Sequence, residues 1–322
     1  MGARGAGRAV AVLGGVVLAV GLPASAASGS RMPLLPVEEA YETVVEGSDV
    51  TLLDPVTFEQ RTGVDVSVEV RVHDDAEAGQ VDDDTAVRVS ETTARTAEGT
   101  LLSTTTTTAC LDRRTREAVD CPVEAVDGRR VDVRGLTLAF PPGAAAQDRM
   151  MWDDTAEASF PVRLLGTERF HGLEVQRFEH RVPEQVLRAV TVPGLLVGSP
   201  EATAPADVLY GTTRFLLVEP VSGVVVASED IRLTRLRGAD GTPGAVLLGG
   251  AFASSEESDA DAVARARAAI GQQDGADGVL SWAAAGTGVA LLGLGGLLVA
   301  RGRALPAGQV PGGALGHPVP VS

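Results

Sequence analysis

The sequence predicts a mainly β protein: an exported antiparallel β-sheet domain flanked by N- and C-terminal transmembrane helices. Apolar residues alternate at period two from about residue 50 to 252, as in half-buried strands. Two charge-free apolar runs bracket that stretch, and all 43 acidic residues of the 322-residue chain lie between them.

Val279–Ala300, VLSWAAAGTGVALLGLGGLLVA, carries no charge. As a helix it reaches roughly 33 Å at about 1.5 Å per residue, enough for a hydrocarbon core about 30 Å thick. Arg301 and Arg303 follow it with no acid beyond, which places that end in the cytoplasm. Arg4 and Arg8 precede the first apolar run in mirror order. That run has two open fates: a signal peptide cut after Ala26, or a retained spanning helix. The expected order is a cytoplasmic N-terminus (1–8), a span or signal anchor (9–27) and an extracytoplasmic β domain (31–252). A juxtamembrane helix (254–270), a second span (279–300) and a disordered cytoplasmic tail (301–322) complete it. The protein is thus expected in the cell membrane, with both termini cytoplasmic.

A formal charge of -16 repels nucleic acid and anionic headgroups, so nucleic acid is excluded as a partner. The lipid bilayer, through the two helices, is the partner that the apolar runs imply. Only two cysteines occur, Cys110 and Cys121. In an oxidising compartment they are expected to form a disulfide across a hairpin, worth on the order of 3 kcal/mol.

In chain order, Val37–Val45 reads as a short helix or a leading strand, and Val50–Leu53 runs into the Asp54-Pro55 turn. Val64, Val66, Val68, Val70 and Val72 then alternate strictly, with Val68 on the core face and Arg71 on the wet face. The loop His73–Asp84 is a solvated turn, with calcium at its acids the weaker alternative. Thr85–Glu98 alternates again, and the threonines of Leu101–Leu111 favour a strand because branching at Cβ restricts χ1. Arg129–Arg134 is a short strand, and Phe160–Gly166 pairs with Leu173–Val182 through Phe170-His171-Gly172. Val186–Leu196 with the following GSPEATAPA reads as a mobile insertion or binding edge. Thr212–Pro220 and Gly223–Glu229 form the plainest hairpin, with Ile231–Leu236 and Val246–Phe252 after it. Ser254–Ile270 is alanine-rich, serine-capped and carries the i,i+4 pair Asp261 and Arg265, all of which predict a helix.

One turn pattern recurs. Leu111-Asp112-x-x-Thr115 resembles Val218-Glu219-x-x-Ser222-Gly223, and Leu53-Asp54-Pro55-x-Thr57 is a degenerate third copy. The recurrence suggests two similar β modules; the plainer reading is that hairpins reuse good turns. Trp152, among acids in a chain with few aromatics, either packs a small core or faces a sugar or lipid ligand.

No catalytic constellation emerges. The four histidines fit no zinc-hydrolase spacing, and there is no nucleophile elbow, phosphate loop or dinucleotide fingerprint. His171, with Glu168 or Asp153 as partner, is the weak general-base candidate. No catalytic residue, cofactor or metal site is therefore assigned.

The layout resembles the actinobacterial membrane proteins of unknown function labelled porin PorA family. The resemblance lies in Tyr41, Asp54-Pro55, Cys110 with LDRRT, Gly135-Leu136-Thr137, Phe140-Pro141, Trp152-Asp153 and Phe160-Pro161. It continues through Gly172-Leu173-x-Val175-x-Arg177-Phe178, Val192-Pro193-Gly194, Tyr210-Gly211-Thr212-Thr213-Arg214 and Val218-Glu219-Pro220-x-x-Gly223. It implies that both apolar runs persist as helices. The label implies a pore, but strands such as that of Arg129, Asp132 and Arg134 carry too many charges for a lipid-facing barrel wall. The expected role is a scaffold, interaction or lipid- or polymer-binding domain without catalysis, its further partner an envelope lipid, polymer or envelope protein. A porin-like or transport component is the alternative, and a cell-envelope hydrolase a distant one.

Overall fold

The computed structural model describes residues 34–35, 39–54, 56–137, 139–143 and 148–272. The expected segments 1–8, 9–27, 279–300 and 301–322 lie outside the described residues. Among the described residues, no helix is long and apolar enough to cross a membrane.

Fourteen strands form one sheet. The first four are β1 (Ala40–Leu53), β2 (Gln60–Asp74), β3 (Thr85–Thr96) and β4 (Leu101–Asp112). Short pieces follow: β5 (Glu117–Val119), β6 (Ala125–Val126), β7 (Arg129–Arg130), β8 (Gly135–Leu136) and β9 (Arg149–Asp153). The long strands β10 (Ala158–Phe170), β11 (Leu173–Pro193), β12 (Thr203–Val218), β13 (Val225–Gly238) and β14 (Pro243–Ser254) complete it. Neighbours run β3-β2-β1-β14-β13-β12-β11-β10-β9-β8-β5-β4, and β4 pairs again with β3. The ladder therefore closes on itself as a barrel, with β6 and β7 hanging from β4. Closure removes the free strand edges that an open sheet would expose. The two expected modules are thus parts of a single sheet.

Local chemistry explains several elements. β2 carries the strict valine alternation, with Val64, Val66 and Val72 buried and Arg71 exposed. The threonine strand β4 lies in register with β3, so that Thr105 faces Thr92 and Thr107 faces Ser90. At the β10–β11 hairpin both turn residues take positive φ, His171 at 45° and Gly172 at 81°, which matches the right-handed strand twist.

Some boundaries differ from expectation. Residues 37–45 are not helical where described; Ala40 onward is strand. β11 and β12 run through the stretch expected to be a mobile insertion, leaving only the turn around the short 3-10 helix Gly194–Val197. Valines and alanines there bury Val208, Ala206 and Ala204 against Leu196 and Val197. Of Arg129–Arg134 only the first two residues are strand.

The expected helix is present as α1, residues 256–272. Ser255 caps it, its hydroxyl accepting from the Ser258 N–H at 3.2 Å. Ser258 in turn accepts from the Val44 N–H of β1, and Arg267 reaches the carbonyl of His171 at the far hairpin. The helix thus packs on β1 and the β10–β11 hairpin and lines the interior. It buries Ala262, Val263 and Ala266 against Val175 and Val226, where each buried valine contributes about 1.5–3 kcal/mol. Arg265 forms no ion pair with Asp261; its guanidinium lies 4.6 Å over the Tyr41 ring instead.

Cys110 and Cys121 are disulfide-bonded, with Cα atoms 6.2 Å apart. Cys110 faces Val119 across the β4–β5 pair, so the bridge runs diagonally rather than straight across.

The recurrent turn is a real structural unit. Asp54 accepts from the Val56 and Thr57 N–H groups, Asp112 from Arg114 and Thr115, and Glu219 from Val221 and Ser222, all at 2.7–2.9 Å. In each turn the residue four after the acid donates to the acid's own carbonyl. That residue is left-handed in all three: Phe58 at φ 57°, Arg116 at 58° and Gly223 at 73°. At Gly223 an added Cβ would stand 2.0 Å from the Phe140 carbonyl oxygen. Gly223→Ala should therefore destabilise the fold by about 1–3 kcal/mol or more, whereas Phe58→Gly should stabilise it by about 1 kcal/mol. Urea denaturation of both variants checks this, and a loss at Phe58→Gly would refute the strain.

Candidate functional site

The barrel interior is not filled. A cavity of about 290 Å³ lies within it, lined by β1–β4, β9, β12–β14 and α1. Val45, Val68, Val70, Leu216, Val225, Leu248 and Phe252 give it apolar wall, and Thr43, Thr92, Thr105 and Thr107 give it hydroxyls. Charged side chains of both signs also line it, in two groups.

The first group gathers on β1, β2 and β3. Arg88 donates to Asp74 through Nε at 2.8 Å and Nη2 at 3.2 Å, and to Glu39 through Nη2 at 2.8 Å. Both Arg88 and Asp74 are buried. Burial works against the Arg88 charge, but Asp74, Tyr41 and Glu39 outweigh it and raise the pKa. Tyr41 stands beside them, its hydroxyl pushed up by burial.

The second group spans β9, β12 and β13. The Tyr210 hydroxyl donates to Asp153 at 3.0 Å, and burial raises its pKa. Asp230 receives Arg232 at 2.7 Å and the Thr212 hydroxyl, with Arg214 at 3.6 Å. Burial alone would raise the Asp230 pKa, but the two guanidiniums hold it below the usual carboxylate range. Asp154, bonded by Thr107 at 3.0 Å, is shifted upward by burial.

Two further cations line the same cavity without a carboxylate partner among the described residues. One is Arg265 over Tyr41. The other is Arg116, in the left-handed position of the second turn and only 8 % exposed.

The residues singled out in the sequence are divided by the fold. Asp112 and Thr115 shape the turn that presents Arg116, and Glu219, Ser222 and Gly223 shape the turn whose glycine lines the cavity. Asp54 holds a turn of its own. Trp152 is buried against Leu35, Ala86 and Leu111, and it also lines the cavity. Cys110 and Cys121 pack with Val87 in a separate small cluster.

His171 sits at a hairpin tip with its ring edge-on to Phe170. Its suggested partner Asp153 bonds Tyr210 and the Ala156 N–H. In the loop once considered for calcium, Asp74 serves Arg88 and Asp82 accepts from Asp84 and Thr85 within its own turn. The carboxylates of Asp120, Glu124 and Asp132 converge within 4.8 Å, but Arg130 and Arg134 pair with the two exposed aspartates.

Sequence reasoning missed Arg88, Arg116, Arg214, Asp230 and Arg232. One signal was available: Arg116 occupies the turn position that is Gly223 in the Glu219 turn, where any side chain with a Cβ is conformationally costly.

His180 tests the dryness of this interior. It is fully buried and faces Arg214 in register. Burial, and after it the Arg214 charge, pulls its imidazole down to about 4. The fold therefore keeps His180 neutral while the unfolded chain takes up a proton from about pH 6.5 downward. Stability should fall by up to about 1.4 kcal/mol per pH unit between about pH 6.5 and 4. His180→Leu should flatten that part of the slope in urea midpoints; an unchanged slope would refute it.

No curated protein matches the chain. Among solved structures, a crystal structure of a Bacteroides fragilis NCTC 9343 protein with a YmcC-like fold aligns at 8 % identity. The alignment covers 69 % of this chain and 96 % of that one, with a TM-score of 0.20, below the level at which folds are related. The family described as porin PorA matches residues 6–297, nearly the whole sequence and all of the barrel, so the chain belongs to the porin PorA family.

Proposed function

We propose that the protein is a membrane-anchored envelope component whose extracytoplasmic barrel holds a lipid or the apolar part of an envelope polymer, without catalysing a reaction on it. The observation that carries this reading is the open lumen, in which apolar wall and charged groups share one cavity of about 290 Å³. Small-ligand sites have this character: mostly apolar, concave, with a few placed polar groups. The disulfide suits an oxidising compartment, and the two apolar runs suit an anchor. A scaffold role would use the outer surface and leave the lumen without a task.

The family description favours a pore as the second reading. Against it stand exposed ion pairs on the strands, such as Arg235 with Glu184 and Arg71 with Glu42. A charge facing midplane lipid costs roughly 2–4 kcal/mol. Such pairs suit a barrel wall in water.

The test is mass spectrometry of organic extracts from the purified full-length chain. A co-purifying amphiphile near one per chain is expected, and Leu216→Trp, which fills the lumen, should lose most of it while circular dichroism stays unchanged. Extracts indistinguishable from a control membrane protein, together with discrete conductance steps in planar bilayers, would replace this reading with the pore.

A further inference from the structure

Arg116 incurs two costs with no ion pair in return among the described residues. Its backbone is left-handed, a conformation that Phe58 and Gly223 share at the equivalent turn positions and that is unfavourable for any residue with a Cβ. Arg116 is 8 % exposed, and its Nε has no hydrogen-bond partner among the described residues. Other buried guanidiniums of the lumen are answered: Arg88 by Asp74 and Glu39, and Arg232 by Asp230. Glu39, the acid whose charge Arg116 senses, is already bonded to Arg88 at 2.8 Å. Burial lowers the Arg116 pKa to about 10, so it remains a cation at neutral pH.

The surroundings fit an anion on that cation. Arg265, which has no carboxylate partner among the described residues, lines the same cavity and stacks on Tyr41. Thr137 also lines it, with a buried hydroxyl that has no hydrogen-bond partner among the described residues. Beyond these groups lie Val68, Val70 and Leu216. A buried cation without an ion-pair partner among the described residues, in a cavity with apolar wall, is complementary to an amphiphile with a negative head.

We propose that Arg116 is the headgroup anchor of the lumen, binding the carboxylate or phosphate of an anionic amphiphile whose apolar chain lies against Val68, Val70 and Leu216. This rests on the reading of the lumen as an amphiphile site and names the ligand class for it. The Asp112 turn holds the anchor: its carboxylate fixes the Arg114 and Thr115 N–H groups and so sets the left-handed residue that follows.

The test uses the full-length chain in phosphatidylcholine nanodiscs with two fluorescent polyene probes of equal length, one a fatty acid and one the corresponding alcohol. Wild type should bind the acid at least about tenfold more tightly than the alcohol, the scale of one charged hydrogen bond. Arg116→Gly should bind both equally, with alcohol affinity unchanged and a melting temperature equal to or above wild type. Arg116→Gln, which keeps the strain and removes the charge, should show the same loss of preference. Displacement by decanoate or by decyl phosphate at lower concentration names the headgroup. A wild type without preference, variants that keep it, displacement by neither anion, or a fall in melting temperature for Arg116→Gly would overturn the anchor while alcohol binding sustains the lumen site. Failure of both probes to bind wild type would remove the lumen reading itself and the anchor with it.

Discussion

Inward-facing charges have to be answered within the barrel, because closing the sheet removes most of the water that would otherwise solvate them. Closure follows from the pairing of β3 with β4 at one side and the short β5, β8 and β9 pieces at the other. Once the ring is shut, Arg88, Arg214, Asp230 and Arg232 face a lumen instead of solvent. An isolated buried charge costs far more than a paired one, so these groups combine across neighbouring strands. Strand register makes this possible: Arg214 and Asp230 are directly opposite, and Arg88 is opposite Asp74. The same register buries His180 beside Arg214, and burial first, with that neighbouring charge second, keeps the imidazole neutral.

The turns are the second organising device. Three times an acid caps the two N–H groups that follow it, a hydroxyl residue completes the bend, and the chain returns through a left-handed residue. Two of these turns border the lumen and one does not. The left-handed residue is glycine where Phe140 packs against it, phenylalanine where the turn is exposed, and arginine where it meets the cavity. One backbone solution thus serves three environments, and the residue at its strained position reports which one it meets.

α1 links the barrel to its lumen in a way that an isolated juxtamembrane helix would not. Its alanines allow close approach to Val175 and Val226, while Ser258, Asp259 and Arg265 face the cavity. The helix that leads toward the expected C-terminal span is therefore also part of the cavity wall.

Periodicity in the sequence was enough to determine the β class, most strands, the helix after residue 254 and the Cys110–Cys121 bridge, since each depends on residues close together in the chain. The acid-and-hydroxyl turns were legible for the same reason. Strand alternation says which residues share a face, but not whether that face meets solvent, core or lumen. Alternation therefore does not show that β11 and β12 continue through Val186–Ala206, which reads as a mobile insertion or binding edge, or that Arg88 is buried. Only the tertiary structure decided that the sheet is one closed ring, that Arg265 stacks on Tyr41 rather than pairing with Asp261, and that the buried Arg116 Nε lacks a hydrogen-bond partner among the described residues. Each of these depends on strands far apart in sequence meeting across the barrel, and local sequence carries no term for such long-range closure.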